Sequence, residues 1–144
     1  MKTLITACCL LLLLSFTLAS CKKDKTSPSE LIGEWTEMGS GDFNRTLTFT
    51  QDQTFQFSVI TKDGHVTTVT GSYKTEGNSL KVAAKEIQEY RSGQPPVKEP
   101  TSIRLFEDAT FNISNNVLDL QYTTYPADAP LSTHAKFERK NDID

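Results

Sequence analysis

The chain has 144 residues, 37% of them hydrophobic, and a formal net charge of −3. That length and apolar content suit one domain with a core of its own. The mildly acidic balance argues against nucleic acid as a partner, because phosphate backbones select a basic face.

The first twenty residues read differently from the rest. Lys2 is the only charge before residue 22, and Leu4 to Leu18 is almost continuously apolar around Leu10–Leu14. A membrane-spanning helix needs roughly 20 such residues. This run is shorter and gives way at once to Lys22-Lys23-Asp24-Lys25. A basic tip, a short apolar region and small residues before a cut describe a secretory signal peptide over residues 1–20. The alternative is an uncleaved anchor helix.

Leu18, Ala19, Ser20 and Cys21 resemble the lipobox of bacterial lipoproteins: an aliphatic residue, two small residues and a cysteine. The resemblance implies cleavage after Ser20 and a diacylglyceryl group on the sulfur of Cys21, which fixes the chain to the cell envelope. One acyl chain binds a membrane marginally and two hold it, at about 0.8 kcal/mol per buried CH₂. Lysine directly after the cysteine resembles lipoproteins sent to an outer membrane. The Lys/Asp-rich start also resembles surface-exported lipoproteins of some Gram-negative groups, so the periplasmic and surface faces both stay open. Cys8 and Cys9 leave with the leader, so Cys21 remains alone and no intramolecular disulfide is possible. An exported domain without bridges is held by its core. Residues 21–29 are the lipidated end and a polar tether containing Pro28.

From residue 31 the apolar period is two. Leu47 and Phe49 alternate with threonines, and Phe55, Phe57 and Val59 alternate with Gln56 and Ser58. Such alternation predicts half-buried strands. Gln51-Asp52-Gln53 and Lys62-Asp63-Gly64-His65 predict hairpin turns, and Gly71 within Val66–Thr75 marks a candidate bulge. Tyr73–Val82 and Phe111–Leu120 share one construction: an aromatic, a turn ending in Asn, then two aliphatics two apart. Residues 80–90 are open between strand and helix. Ala83, Ala84, Lys85 and Glu86 favour helix, and Leu80, Ala84 and Ile87 would share a helical face; the preceding turn favours strand. Residues 91–102 hold Gly93, Pro95, Pro96 and Pro100 and predict a loop. Strands follow at Ile103–Ile113, Val117–Tyr125 and Ser132–Lys140, and residues 141–144 are expected to fray. The expected class is all-β: an up-and-down antiparallel barrel of about eight strands over residues 30–140, with a two-sheet sandwich as the alternative.

At Leu31-Ile32-Gly33-Glu34-Trp35 the chain resembles lipocalin-like proteins, whose first strand carries Gly-x-Trp. The resemblance implies that Gly33 and Trp35 close one end of the barrel under an arginine of the last strand, Arg139, with Arg104 as a rival. It also implies a cavity for a small apolar ligand, with Phe49, Phe55, Phe57, Phe111, Tyr122 and Phe137 as the candidate lining. The family's helix after the barrel has no counterpart here. If those rings instead fill the interior, the expected role is a module that contacts another envelope protein.

No enzyme signature is present. His65 and His134 have no Cys, His or acidic neighbour at metal-ligand spacing, so no metal or cofactor is expected. Glu86 with Glu89, or Glu107 with Asp108, can be imagined as an acid/base pair, but acidic residues on exposed strand faces are normally just solvated.

Overall fold

The computed structural model describes residues 28–39, 41–126 and 129–140. The leader, Leu18–Cys21, most of the tether and the tail at 141–144 lie outside the described residues. A short 3₁₀ turn, Pro28–Leu31, leads into nine strands: β1 Gly33–Glu37, β2 Phe43–Phe49, β3 Thr54–Thr61, β4 Val66–Glu76, β5 Ser79–Tyr90, β6 Val97–Pro100, β7 Glu107–Ser114, β8 Val117–Thr124 and β9 Leu131–Arg139. Each pairs antiparallel with its neighbours, and β9 returns to β1, so eight strands close into an up-and-down barrel with β6 as an extra strand outside the ring. A two-sheet sandwich is therefore excluded.

The turns explain why the strands fall where they do. Gly77 has φ of 60° in the two-residue turn between β4 and β5, and Asn115 and Asn116 have φ of 51° and 61° between β7 and β8. Both are the left-handed conformations that tight hairpins require. Alternation then sets what faces inward. Trp35, Leu47, Phe57 and Val69 stand side by side across β1–β4 as one interior row. Leu31, Trp35, Leu47, Phe49, Phe55, Leu80, Phe111, Leu118, Leu120 and Phe137 are at most 2% exposed, which places the packed core toward the end where β1 begins.

Two expectations are corrected. Residues 91–102 are not all loop, because Val97–Pro100 pairs with Glu86–Glu89 of β5. β6 is short, exposed and on an edge, where the missing N–H of Pro100 does little harm. The strand expected from Ile103 begins only at Glu107. Phe106 and Asp108 have φ of 51° and 50°, and the β7–β8 register shifts between Glu107 and Thr110. Residues 101–106 instead form a strap beside β5. The seam it leaves is thin, since β5 meets β7 at Ser79↔Thr110 and Leu80↔Ala109 alone.

The ambiguous segment 80–90 is strand throughout. Gly71 pairs with Ala84 while Thr70 pairs with Glu86, so Lys85 is an extra residue on β5. That bulge flips the inward parity and brings Leu80, Val82, Ala84 and Ile87 all against the core. Gly71 is required there: a Cβ would lie 2.0 Å from the Ala83 carbonyl oxygen.

Candidate functional site

The two ends of the barrel differ. At the closed end the indole Nε1 of Trp35 donates to the Leu31 carbonyl at 2.8 Å. The Arg139 guanidinium lies 4.2 Å from the Trp35 ring centroid. Its Nη1 donates to the Ile32 carbonyl at 2.8 Å and its Nη2 to the Glu30 carbonyl. Gly33 has φ of 137°, and a Cβ there would sit 2.7 Å from Arg139 Nη1. Arg104 is far along the chain's strap, paired with Glu107 at 3.3 Å, and takes no part.

Of the six rings expected to line a cavity, Phe49, Phe55, Phe111 and Phe137 are buried in the core, where they fill the closed half. Phe57 and Tyr122 are only partly buried and stand at the other end. There a cavity of about 640 Å³ opens. Phe57 meets Phe106 edge-on with centroids 5.4 Å apart, and Phe106 meets Tyr122 at 5.0 Å. Val59, Leu105 and Tyr125 add apolar wall. Met38, Phe43, Tyr125 and Leu131 are exposed at strand ends around this mouth. A second cavity of about 360 Å³ lies on the far side of the strap, between residues 102–108 and the start of β5. Phe106 is part of both walls.

The mouth also holds a charge pair on the inward-facing positions. Arg45 Nη1 lies 3.3 and 3.2 Å from the two carboxylate oxygens of Glu37. Arg45 follows the odd-numbered parity of Leu47 and Phe49, and Glu37 follows that of Trp35. The parity was readable from the sequence; a cross-strand partner for each charge was not, because it depends on the β1–β2 register. Burial holds the Tyr122 hydroxyl above the usual tyrosine range, with nearby Arg45 opposing the shift and Glu37 adding to it. Tyr122 therefore stays a neutral hydrogen-bond donor.

The titratable residues elsewhere are dispersed. His134 points outward and bonds Asp119, and His65 on the β3–β4 turn lies 4.0 Å from Glu89. Glu86 pairs with Lys98 at 3.1 Å and Glu89 with Arg91 at 3.9 Å, whereas the Glu107–Arg104 pair stands in the wall of the mouth. Among the described residues no group of His, Cys, Asp and Glu could hold a metal ion.

The architecture is thus a closed eight-stranded antiparallel barrel, compatible with a lipocalin-like fold, plugged at one end and open at the other. Compared with protein-family models, curated proteins and solved structures, the chain matches none.

Proposed function

We propose that this is a lipid-anchored lipoprotein of the bacterial cell envelope, carried to the outer membrane on Cys21, whose lipocalin-like barrel binds a small, largely apolar molecule without transforming it. The observation that carries the reading is the cavity of about 640 Å³ walled by Phe57, Phe106 and Tyr122 above a solidly packed closed end. Small-molecule sites are concave, mainly apolar and set with a few convergent polar groups. The polar groups here are Arg45, the Arg104–Glu107 pair, Thr123, Thr124 and the hydroxyls of Tyr122 and Tyr125. The 3₁₀ turn Pro28–Leu31 leads into the barrel beside Trp35, at the end opposite the mouth. A lipid on Cys21 therefore leaves the opening free to face away from the anchoring membrane.

Native mass spectrometry of the protein purified from its own host tests the ligand. A co-purified small molecule lost on Phe57→Ala supports the reading, and a protein of bare polypeptide mass that also refuses apolar dyes contradicts it. Cys21→Ala is expected to release the protein from membranes. Unchanged retention, with the leader still attached in both forms, would remove the anchor.

One observation favours a second reading, a contact module for another envelope protein. Four of the six rings fill the interior, and Met38, Phe43, Tyr125 and Leu131 form an exposed apolar rim. Loss of a co-purifying protein on Phe43→Ser and Leu131→Ser, with no small molecule found, selects it.

A further inference from the structure

The ligand class can be narrowed on the reading that the mouth is a ligand site. Charges are rarely placed on the inner face of a small barrel, since removing them from water is unfavourable unless they are paired. Arg45 and Glu37 are paired, but unequally. The Glu37 side chain is 11% exposed and that of Arg45 38%, so the carboxylate lies behind and the guanidinium in front. Both carboxylate oxygens meet the single nitrogen Nη1. Beyond this, and a position 5.7 Å from the Phe43 ring, the Arg45 side chain makes no further hydrogen bond or ion pair among the described residues, and its Nε–Nη2 edge has no acceptor. Arg139, the other inward arginine, differs: it divides Nη1 and Nη2 between two backbone carbonyls and stands over an indole. An arginine that only holds the barrel shut looks like Arg139. Arg45 stands in the cavity wall with one fork edge open. The Tyr122 hydroxyl beside the same cavity also has no hydrogen-bond partner among the described residues.

At the mouth the carboxylates of Glu37 and Glu107 are already paired with Arg45 and Arg104, whereas the Nε–Nη2 edge of Arg45 and the Tyr122 hydroxyl are donors left open. The Nε–Nη2 edge is the planar fork that receives two oxygens at once. We propose that the mouth binds an amphipathic monocarboxylate, with its acid group on the Nε–Nη2 edge of Arg45 within reach of the Tyr122 hydroxyl and its apolar part against Phe57, Val59 and Phe106. A single negative charge fits better than two, because Glu37 already offsets part of the arginine's charge.

The test is calorimetric titration of the purified protein with decanoate, decanol and decyl phosphate. Decanoate is expected to bind at least about tenfold more tightly than decanol, the scale of a charge-assisted bidentate bond. Glu37→Gln removes the opposing carboxylate and is expected to tighten decanoate while leaving decanol unchanged, an outcome that a purely structural ion pair does not produce. The double variant Glu37→Gln/Arg45→Met keeps a neutral floor and is expected to bind both equally. Equal affinity for decanoate and decanol in the unmodified protein overturns the carboxylate and leaves the apolar site standing. Tighter binding of decyl phosphate overturns the single charge. Failure of every probe to bind removes the ligand site itself.

Discussion

The guanidinium of Arg139 stands 4.2 Å from the centroid of Trp35 and ties the last strand to the turn before the first. Three interactions meet in one side chain: the cation–π contact and donors to the carbonyls of Ile32 and Glu30. A partly desolvated cation–π contact contributes about 0.5–2 kcal/mol and a hydrogen bond to a charged group about 1.5–3 kcal/mol, without full additivity. Arg139→Ala is expected to lower unfolding free energy by about 2–4 kcal/mol in urea. Arg139→Lys keeps the charge but not the fork, and should recover less than half of that loss. A change within about 0.5 kcal/mol for the alanine variant, the range of an ordinary surface substitution, would mean that the closed end holds without this latch.

Gly71 and Gly77 are both glycines of the β4–β5 hairpin, yet they make opposite demands. Gly77 has φ of 60° with open space where a Cβ would go, whereas a Cβ on Gly71 would lie 2.0 Å from the backbone oxygen of Ala83. Gly77→Ala is expected to cost about 1–2 kcal/mol, the strain of one left-handed residue. Gly71→Ala must push two backbones apart at the bulge and should cost about 3 kcal/mol or more. Amide exchange should report the difference: faster along β4 and β5 for the Gly71 variant, confined to the turn for the Gly77 variant.

The same bulge shows how far the sequence could be read. Strands β2 and β3 were legible from alternation alone, because Thr46, Thr48, Gln56 and Ser58 take one face and Leu47, Phe49, Phe55 and Phe57 the other. Residues 80–90 were ambiguous for a physical reason. The extra residue Lys85 turns a spacing of two into a spacing of three between Ala84 and Ile87, which imitates a helix face. The strap was misread because positive φ at Phe106 and Asp108 has no signature in the residue types, and β6 because edge pairing tolerates proline. At the mouth, Arg45 broke the apolar parity of β2 in plain view. Its pairing with Glu37, and the presence of Phe106 between Phe57 and Tyr122, depend on the register and the strap.

Tyr73 gives the fold a dependence on alkaline pH. Its ring is in the core against Phe49, and its hydroxyl donates to the Thr50 carbonyl at 2.9 Å. Burial raises its pKa above the ordinary 10.0. The folded state then holds this proton at a pH where the unfolded chain has lost it, so the contribution is complete below 10.0 and fades as pH rises through the folded value. Thermal midpoints should therefore fall as pH is raised beyond that point. Tyr73→Phe is expected to cost about 1 kcal/mol at neutral pH, the net worth of one hydrogen bond, and to flatten the alkaline limb. An identical alkaline limb in the variant would assign that limb to other groups, Tyr122 among them.

Phe106 ties strain to the site. It is 6% exposed, has φ of 51° and stands in the wall between the mouth and the seam cavity. Removal of a buried phenyl usually costs about 3–5 kcal/mol. Phe106→Ala should fall in that range and join the two cavities, so that ligands longer or broader than the mouth accepts gain affinity relative to small ones. The backbone adds a sharper expectation. Left-handed φ costs an L residue about 1–2 kcal/mol, and glycine escapes that cost. Phe106→Gly is therefore expected to match or exceed Phe106→Ala in stability, the reverse of the order inside regular structure, where glycine loses about 0.5–1 kcal/mol to alanine. Urea titrations of the two variants side by side decide it. Alanine clearly above glycine would show that residue 106 carries no left-handed strain, and the strap would then owe its path to the packing of the ring alone.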